Sequence, residues 1–244
     1  MWLNWLEHSL RVREILSSSP SIPTKKIMQF PTYKREEEKI QNGFDFIIGC
    51  DEVGAGPLAG PVVAAACILK SETIGDRRTS DKWYYRVRDS KTVSEKEREE
   101  LAVVIKQNCL CYAVSEVDSR EIDDINIHNA SLLAMHRAVS SLLEQLNTQD
   151  IKKIFVFVDG KFRIKGLSLE QEPVISGDSE ILSIAAASII AKVHRDGLLR
   201  NIDKVFPNYG FAKHKGYGTR EHIQAIQKNG VLGIHRKSFL KNII

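Results

Sequence analysis

The chain has 244 residues, of which 43% are hydrophobic and 27% charged, a composition that suits a globular protein with one large domain or a domain with appendages. No apolar stretch is long enough to span a bilayer, and charges interrupt residues 1–16 where a secretion signal needs an apolar core, so we expect a soluble cytoplasmic protein. The net charge of +4 is too small to identify a partner by itself.

The N-terminal part is predicted as a helix, a linker and a second helix. In residues 2–16 the apolar side chains fall on one face of a helix. Residues 17–23, with the sequence SSSPSIP, are typical of a linker. A short charged helix over 33–42 is stopped by Gly43, after which the main domain is expected to begin.

The main domain mixes strand-like and helix-like segments. Short apolar or alternating runs predict strands at residues 46–50, 61–69, 110–117, 154–158 and 173–176. Helices are predicted from Ser94 with its capping-box Glu97, over 129–146, over about 179–200 and from Thr219 to near Gly230. Small Ala and Ser side chains in the third of these helices would let it lie close against a sheet. This order predicts an α/β layered domain with a mixed sheet.

Three of the predicted strands end in carboxylates: Asp51 and Glu52 follow the first strand, Asp159 the fourth and Asp178 the fifth. Ligands collect outside the carboxyl ends of strands in open α/β sheets, so these side chains would converge if the three strands are parallel and adjacent. Taken singly, each has an ordinary alternative as a loop charge, a turn residue or, for Asp178, a helix cap. Three further acids follow the third strand without a converging partner and are interpreted as solvated: Asp118, Asp123 and Asp124.

Converging carboxylates indicate a site for hard divalent cations. Like charges a few ångströms apart raise one another's pKa values unless a cation neutralises them. Oxygen-only ligands favour Mg²⁺ or Mn²⁺ over Zn²⁺. The four cysteines show no zinc-ligand spacing and lie in apolar runs, as expected of buried free thiols in a reducing compartment. Two ions about 3.5–4 Å apart clamp the attacking and leaving oxygens of an in-line phosphoryl displacement, so the pattern predicts a phosphodiester-cleaving site.

The C-terminal segment is strongly basic. Residues 204–244 contain eight Lys or Arg and one acid, Glu221, which makes a net charge of +7 against −3 for residues 1–203. A basic segment beside an acidic body suits a ligand with a phosphate backbone. A solvated charged tail explains the charge equally well.

Several ordered blocks carry a family resemblance. Residues 47–63, IIGCDEVGAGPLAGPVV, resemble the opening signature of the type 2 ribonucleases H, specifically the HII type. Further blocks resemble the same family in the same order: DSK at 89–91, NIHNASLLAMHRAV at 126–139, FVDGK at 157–161, GDSEILSIAAASIIAKVHRD at 177–196, YGFAKHKGYGTREH at 209–222 and IHRKSF at 234–239. Together they extend the resemblance over residues 33–240.

The resemblance implies the ribonuclease H fold, a mixed five-stranded sheet flanked by helices, with a small helical C-terminal region that closes over an RNA–DNA hybrid. It divides the chain into an N-terminal helical extension and linker (1–44), a catalytic domain (45–203) and a basic helical C-terminal region (204–244). The implied enzyme is an endonuclease that cuts the RNA strand of hybrids and incises at ribonucleotides embedded in duplex DNA. Two-metal-ion catalysis with Mg²⁺ or Mn²⁺ would leave 5′-phosphate and 3′-hydroxyl ends. We expect a monomer without an obligate protein partner.

The resemblance also assigns roles to residues. The family's metal-binding, catalytic carboxylates fall on the set reached above from strand ends: Asp51, Glu52, Asp159 and Asp178. The family's Gly-x-Gly turn falls on Gly54-Ala55-Gly56, whose amides would approach the 2′-hydroxyl that distinguishes RNA from DNA. The family's junction-sensing tyrosine falls on Tyr217, whose ring would stack on the neighbouring nucleotide.

Two features depart from the family pattern. Ala55 stands where the family usually has Arg, so a side-chain contribution to phosphate binding would be lost while backbone contacts survive. The stretch 71–88 is longer than the family needs, and its basic and aromatic side chains would either contact nucleic acid or pack as a surface loop. Four lysines are further candidates for phosphate contacts: Lys91, Lys192, Lys213 and Lys215.

Three other functions fit parts of the sequence. A ribonuclease HIII would share the Asp-Glu motif but usually carries a folded N-terminal domain, for which residues 1–44 are too short. A non-catalytic nucleic-acid-binding protein would have no use for converging negative charge. Another two-metal nuclease on this fold is disfavoured by the ordered blocks.

Overall fold

A computed structural model of the chain describes residues 30–74, 82–88, 90, 93–146 and 153–241. The helix predicted over 2–16, the linker over 17–23, Lys91 and residues 75–81 lie outside these described residues. No helix within them is both long enough and apolar enough to cross a membrane.

Among the described residues, five strands form one mixed sheet, as predicted. They are β1 (Phe46–Val53), β2 (Val62–Leu69), β3 (Cys109–Val117), β4 (Ile154–Asp159) and β5 (Glu170–Val174). The order across the sheet is β3-β2-β1-β4-β5. Strand β2 runs antiparallel to β1 and β3, whereas β1, β4 and β5 run parallel to one another. The carboxylate-bearing strands are therefore parallel and adjacent, which is the condition for convergence at one edge.

Helices cover both faces of the sheet. In the described residues they are α1 (Lys34–Gln41), α2 (Glu95–Asn108), α3 (Ser119–Ile125), α4 (Ile127–Gln145), α5 (Leu182–Val205), α6 (Phe211–His214), α7 (Arg220–Asn229) and α8 (Lys237–Leu240). Successive residues of a strand point to opposite faces. Accordingly, Val63 and Ala65 of β2 pack in a cluster with α2 and α5, while Val62 and Ala64 pack in a cluster with α4.

Helix α5 lies directly against strand β1 because small residues meet at the crossing. The first ten residues of α5 are buried, and almost all are Ala, Ser or Ile. Opposite them, Gly49 has no side chain, and a Cβ there would lie 2.2 Å from the carbonyl carbon of Ser183. The prediction that small side chains bring this helix onto the sheet is confirmed, and Gly49 on the partner strand is needed for the same close approach.

The predicted helix ends are confirmed where capping residues mark them. The Ser94 side chain accepts the amide of Glu97 at 3.3 Å at the start of α2. Thr219 caps α7 in the same way, and α7 ends before Gly230, which has a φ of +89°. Gly43, with a φ of +85°, follows the end of α1.

Two predicted segments are displaced along the chain. The fifth strand is Glu170–Val174 rather than 173–176, and its polar composition hides it from an apolar-run criterion. Pro173 is tolerated within it because β5 is an edge strand of the sheet. The long helix begins at Leu182 rather than near 179, since Gly177–Ser179 forms a separate 3₁₀ turn.

The C-terminal residues pack on the rest of the protein through a small core of their own. Leu58 and Leu199 share a buried cluster with Phe211, Ile226 and Leu240. Backbone hydrogen bonds also join the loop after β1 to this region. The loop that leaves the carboxylate-bearing strand is thus held by C-terminal residues.

Candidate active site

The ends of β1 and β4 bring three carboxylates together. Asp51 and Glu52 lie near the end of β1, and Asp159 is the last residue of β4. Cys50 pairs with Val158 in the parallel register, so Asp51 and Asp159 come next at the same edge. One carboxylate oxygen from each of the three acids lies within 4.8 Å of the others. Asp51 is buried while the other two are partly exposed, so the cluster opens to solvent on one side.

Asp178 lies beside this cluster rather than within it. It sits buried in the 3₁₀ turn that starts at Gly177, and its charge contributes to the raised pKa of Asp51. The turn is tied to Asp159, whose Oδ1 accepts the Gly177 amide at 2.7 Å. The interpretation of Asp178 as only a helix cap is wrong, because the N-cap residue of α5 is Ile181.

The start of α5 is held instead by a buried acid of α1. Glu36 is fully buried, and its Oε1 accepts the amide of Ser183 at 2.8 Å. Burial raises the pKa of Glu36 to about 7. Arg35 adds an ion pair with Glu180 at 3.0 Å. Helix α1 therefore anchors the segment that carries Asp178.

The surroundings of Asp51 disfavour its charged form. Burial raises the pKa of this carboxyl well above its usual range, and the charges of Glu52 and Asp159 act in the same direction. A hydrogen bond from Ser188 opposes them, and the Ser188 hydroxyl lies 3.0 Å from that of Ser90. Ser90 is the middle residue of the DSK block, and this serine connects to the cluster through the Ser188 hydroxyl. A divalent cation held by the three carboxylates would remove the repulsion among them.

The Gly54-Ala55-Gly56 turn follows β1 directly and faces Tyr217. Gly54 has a φ of +96°, and Ala55 and Gly56 are exposed. The amide N–H groups of Ala55 and Gly56 have no hydrogen-bond acceptor among the described residues. A Cβ on Gly56 would lie 3.9 Å from Cε1 of Tyr217, which is 46% exposed. Gly56 and Tyr217 therefore meet at a solvent-facing edge next to the carboxylate strand, with Ala55 exposed beside them and Gly54 buried behind.

A fully buried arginine, which the sequence analysis does not single out, holds this turn from behind. Arg236 donates to the Gly54 carbonyl at 2.7 Å, to the Ala55 carbonyl at 2.8 Å and to the Gly60 carbonyl at 2.8 Å. In a trans peptide the C=O and the following N–H point in opposite directions. With the carbonyls of 54 and 55 turned inward, the amides of Ala55 and Gly56 point outward.

A second buried arginine supports the same loop. Arg195 donates to the carbonyls of Ala59, Pro61 and Lys215 at 3.0–3.1 Å. A Cβ on Gly54 would lie 2.2 Å from Nε of Arg195, so only glycine fits there. The available sequence signal is that each buried arginine follows a histidine in a family-like block, KVHRD or IHRKSF.

Two of the candidate lysines are occupied within the protein. Lys192 lies 2.6 Å from Asp196, and Lys215 lies 3.1 Å from Glu95; both lysine side chains are less than one fifth exposed. Lys213 is exposed. Of these three lysines, Lys213 is the one whose ammonium group is open to a phosphate.

The described part of the 71–88 stretch packs as a surface loop. Its aromatic residues form the 3₁₀ turn Trp83–Arg86. Tyr84 is buried in the core, and Trp83 and Tyr85 pack against it. For these residues the packing interpretation is favoured over a nucleic-acid contact.

The acids after β3 serve the fold. Asp118 caps α3 by accepting two amides at 2.8 and 2.9 Å, and α3 is a helix that the sequence analysis missed. Asp123 accepts the amides of Lys237 and Ser238 at 2.8 and 2.9 Å, which docks α8. Neither they nor Asp124 belong to the carboxylate group of the described residues, as predicted. The interpretation of Asp118 and Asp123 as merely solvated is wrong.

Comparison with known proteins identifies the family. Residues 48–242 match the sequence model of the family described as Ribonuclease HII. The chain belongs to the ribonuclease HII family. The ribonuclease HII of Clostridioides difficile is 45% identical over 209 residues, covering 86% of this chain and 75% of that protein. The ribonuclease HII of Caldanaerobacter subterraneus is 41% identical over 231 residues, covering 94% of this chain and 89% of that protein.

Solved structures show the same fold. Ribonuclease H2 from Pyrococcus horikoshii aligns with a TM-score of 0.58 at 23% identity, covering 79% of this chain and 93% of that one. The Archaeoglobus fulgidus RNase HII, solved as a complex with PCNA, aligns with a TM-score of 0.60 at 22% identity, covering 81% and 96%. The ribonuclease H fold expected from the sequence is confirmed. Ribonucleases HII are hydrolases that cut the RNA strand of RNA–DNA hybrids, and family membership assigns this activity to the chain.

Proposed function

We propose that the chain, besides cutting the RNA strand of hybrids, incises on the 5′ side of a single ribonucleotide in duplex DNA by two-metal-ion catalysis. This proposal rests on one observation: the carboxylate cluster and the Gly54-Ala55-Gly56 turn lie together at the end of strand β1. Three carboxylates lie within 4.8 Å of one another. The Gly54-Ala55-Gly56 turn follows them with outward amides opposite Tyr217. The first element suits phosphodiester hydrolysis, and the second suits a ribose 2′-hydroxyl.

The carboxylates fit Mg²⁺ or Mn²⁺. Their donors are all oxygens, and the raised pKa of Asp51 marks a site whose negative charge lacks compensation. Asp51, Glu52 and Asp159 would hold the metal, and we propose Asp178, whose charge acts on Asp51 from beside the cluster, as the fourth ligand. A Bst-RNase HIII of the same fold, solved in complex with Mn²⁺, aligns with a TM-score of 0.58 at 19% identity, covering 76% of this chain and 63% of that one.

Neighbouring groups orient two of the carboxylates, Asp51 and Asp159, before any ligand arrives. When bound, a pair of divalent cations supplies an activated water and charge neutralisation for in-line displacement at phosphorus. Ser188 orients Asp51, and the Gly177 amide fixes one oxygen of Asp159 at 2.7 Å. Such orientation is needed because in-line attack depends on placement to within about 1 Å. The expected products carry 5′-phosphate and 3′-hydroxyl ends.

Recognition of the ribose would rest on the backbone of the Gly54 turn. An outward amide can donate to a 2′-hydroxyl, which deoxyribose lacks. An amide does not depend on the side chain of its residue, so Ala55 preserves this contact in place of the usual Arg. The ring of Tyr217, half exposed beside Gly56, would stack on the next nucleotide and sense the RNA–DNA junction.

We propose that the basic residues 204–244 form a region that closes over the hybrid, beside a catalytic domain at 45–203 and an extension at 1–44. Several basic side chains of this region are exposed, among them Lys213, Lys228 and Lys241, whereas Arg236 and Lys215 are occupied internally. The exposed charges would contact phosphates. We further propose that the enzyme works as a monomer in the cytoplasm and needs no protein partner for cleavage.

The decisive experiment is cleavage in Mg²⁺ of three substrates: a DNA duplex with one ribonucleotide, a long RNA–DNA hybrid and a plain DNA duplex. We expect a cut 5′ of the ribonucleotide, cleavage of the hybrid and none of the DNA. Tyr217→Ala should slow the single-ribonucleotide reaction more than hybrid cleavage, because the hybrid offers alternative registers. Gly54→Val should impair both, since its side chain would collide with Arg195. An enzyme that cuts only runs of several ribonucleotides, or leaves 2′,3′-cyclic phosphates, would overturn the proposal.

A further inference from the structure

Three buried imidazoles lie beneath the turn that carries Tyr217. His214, His222 and His235 are all less than one tenth exposed. The rings of His214 and His222 stack with centroids 4.2 Å apart, and Nε2 of His222 lies 3.2 Å from Nε2 of His235. Three polar rings are an unusual choice for a small core, where aliphatic side chains need no hydrogen-bond partners.

The contacts of these rings fix one arrangement of protons. Nδ1 of His222 lies 2.9 Å from the Tyr217 carbonyl, so it carries a hydrogen and Nε2 of the neutral ring is an acceptor. Nδ1 of His235 lies 2.9 Å from the Leu232 amide nitrogen and 3.3 Å from the Leu232 carbonyl oxygen. It accepts from the nearer amide, so Nε2 of His235 carries the hydrogen. His235 therefore donates to His222, and His222 donates to Tyr217. Burial lowers the pKa of His222 to about 4 and lowers that of His235, which keeps both rings neutral.

The third imidazole fixes the other side of the same turn. His214 donates through Nε2 to the Tyr209 carbonyl at 2.7 Å and accepts the Gly216 amide at Nδ1 at 3.1 Å. The amide of Tyr217 in turn donates to the His214 carbonyl at 2.9 Å. The backbone before and after the exposed Tyr217 ring is thus tied to the imidazole cluster, while the ring itself is free to meet a ligand.

We propose that His222 and His235 are positioning residues for Tyr217: their hydrogen-bond chain fixes the Tyr217 carbonyl and so holds the ring beside Gly56, where the RNA–DNA junction is read. This inference rests on the proposed function, because it assigns the two histidines to the selectivity that Tyr217 would confer. It predicts that loss of the chain affects junction recognition rather than hydrolysis itself, since neither histidine belongs to the carboxylate cluster.

Amide side chains can separate the two bonds of His222. Asn places its amide near the position of Nδ1, so His222→Asn keeps a donor for the Tyr217 carbonyl and loses the contact with His235. Gln reaches the position of Nε2, so His222→Gln keeps the contact with His235 and loses the donor to Tyr217. We expect His222→Gln to reduce kcat/KM on the single-ribonucleotide duplex about five- to tenfold, the factor typical of one hydrogen bond, and to change hybrid cleavage less than about twofold. His222→Asn should retain most of the selectivity.

Further variants guard against a merely structural effect. His235→Gln keeps a donor near the position of Nε2, so it should resemble wild type more closely than His235→Ala does. His136→Asn is the control variant, because His136 is an imidazole on α4 outside the cluster. In the double variant Tyr217→Ala with His222→Gln, selectivity should fall no further than in Tyr217→Ala alone, because both changes remove the same interaction. The inference would be overturned if the histidine variants lost kcat/KM equally on both substrates, in proportion to their loss of thermal stability. If Tyr217→Ala slows the single-ribonucleotide reaction more than hybrid cleavage but soluble His222→Gln does not, the inference fails while the proposed function stands. If Tyr217→Ala slows both reactions equally, the proposed role of Tyr217 fails, and the inference fails with it.

Discussion

Replacing Asp51 by Asn should stabilise the metal-free protein while abolishing cleavage. Asp51 is buried, and oxygens of Glu52 and Asp159 lie within 4.8 Å of its own. Two unit charges at that distance repel by about 3.5 kcal/mol at an effective dielectric constant of about 20. Protonation relieves part of this repulsion, because the pKa of Asp51 is already raised. A net gain of about 2 kcal/mol therefore remains for the neutral amide, which corresponds to a rise in Tm of about 4–8 °C for a chain of this size.

Thermal unfolding in EDTA and in Mg²⁺, together with cleavage of a hybrid, tests this reasoning. Mg²⁺ should raise the Tm of wild type and close the gap to Asp51→Asn, because a ligand that binds only the folded state stabilises it. The variant should respond weakly to Mg²⁺ and show no cleavage at saturating metal. Asp124→Asn is a matched control, since this acid lies outside the cluster. A variant less stable than wild type in EDTA would refute the repulsion argument, and near-normal turnover would refute the assignment of Asp51 to the metal site.

Three other predictions concern residues around the site. Glu36 has a folded-state pKa raised from 4.5 to about 7, so in chemical denaturation the stability of wild type relative to Glu36→Gln should fall by up to about 3 kcal/mol as pH rises from 4.5 through 7, because His222 and His235 affect both proteins alike. Gly49→Ala should destabilise by about 1–3 kcal/mol or more and lower activity, because α5 would have to move away from β1; an unchanged midpoint would contradict the close approach. Ala55→Arg should tighten hybrid binding at low salt and leave kcat unchanged, and an altered cleavage position would show that the side chain at 55 takes part in ribose recognition.

The sequence is sufficient to predict the sheet and the convergence of three of the four carboxylates, whereas Asp178 lies beside the cluster. The apolar runs of β1, β2 and β4 are buried strands whose side chains pack against helices, so hydrophobicity alone reveals them. The acids at their ends follow from the same pattern, because a parallel register carries Asp51 and Asp159 to one edge. The bounds of strand β5 are not predicted correctly, because its sequence, EQEPV, contains no apolar run. Strand β5 lies at the edge of the sheet, where an apolar run is not needed.

The supporting contacts could not be predicted, because they join residues far apart in the chain. Arg236 reaches back to Gly54, and Glu36 reaches forward to Ser183. The histidine that precedes Arg236 in its family-like block does not show which carbonyls the arginine reaches, and the charge of Arg236 contributes to the basic segment 204–244 that predicts phosphate contacts. Such contacts require the three-dimensional arrangement of the elements, which periodicity does not specify.

The two buried arginines also bear on the departure at Ala55. In the described part of the chain, neither Arg195 nor Arg236 forms an ion pair, and both direct their donors to backbone carbonyls. Asp196 near Arg195 and Asp123 near Arg236 interact with these charges without a direct ion pair, and both guanidinium groups lie directly behind a turn whose outward amides face solvent. Charges in a weakly polarisable interior act over longer distances than solvated ones. Two buried cations therefore lie behind the turn whether or not position 55 carries an arginine. Since Arg236 already holds the carbonyls of Gly54 and Ala55, the exposed side chain added in Ala55→Arg would contribute as a solvent-screened surface charge.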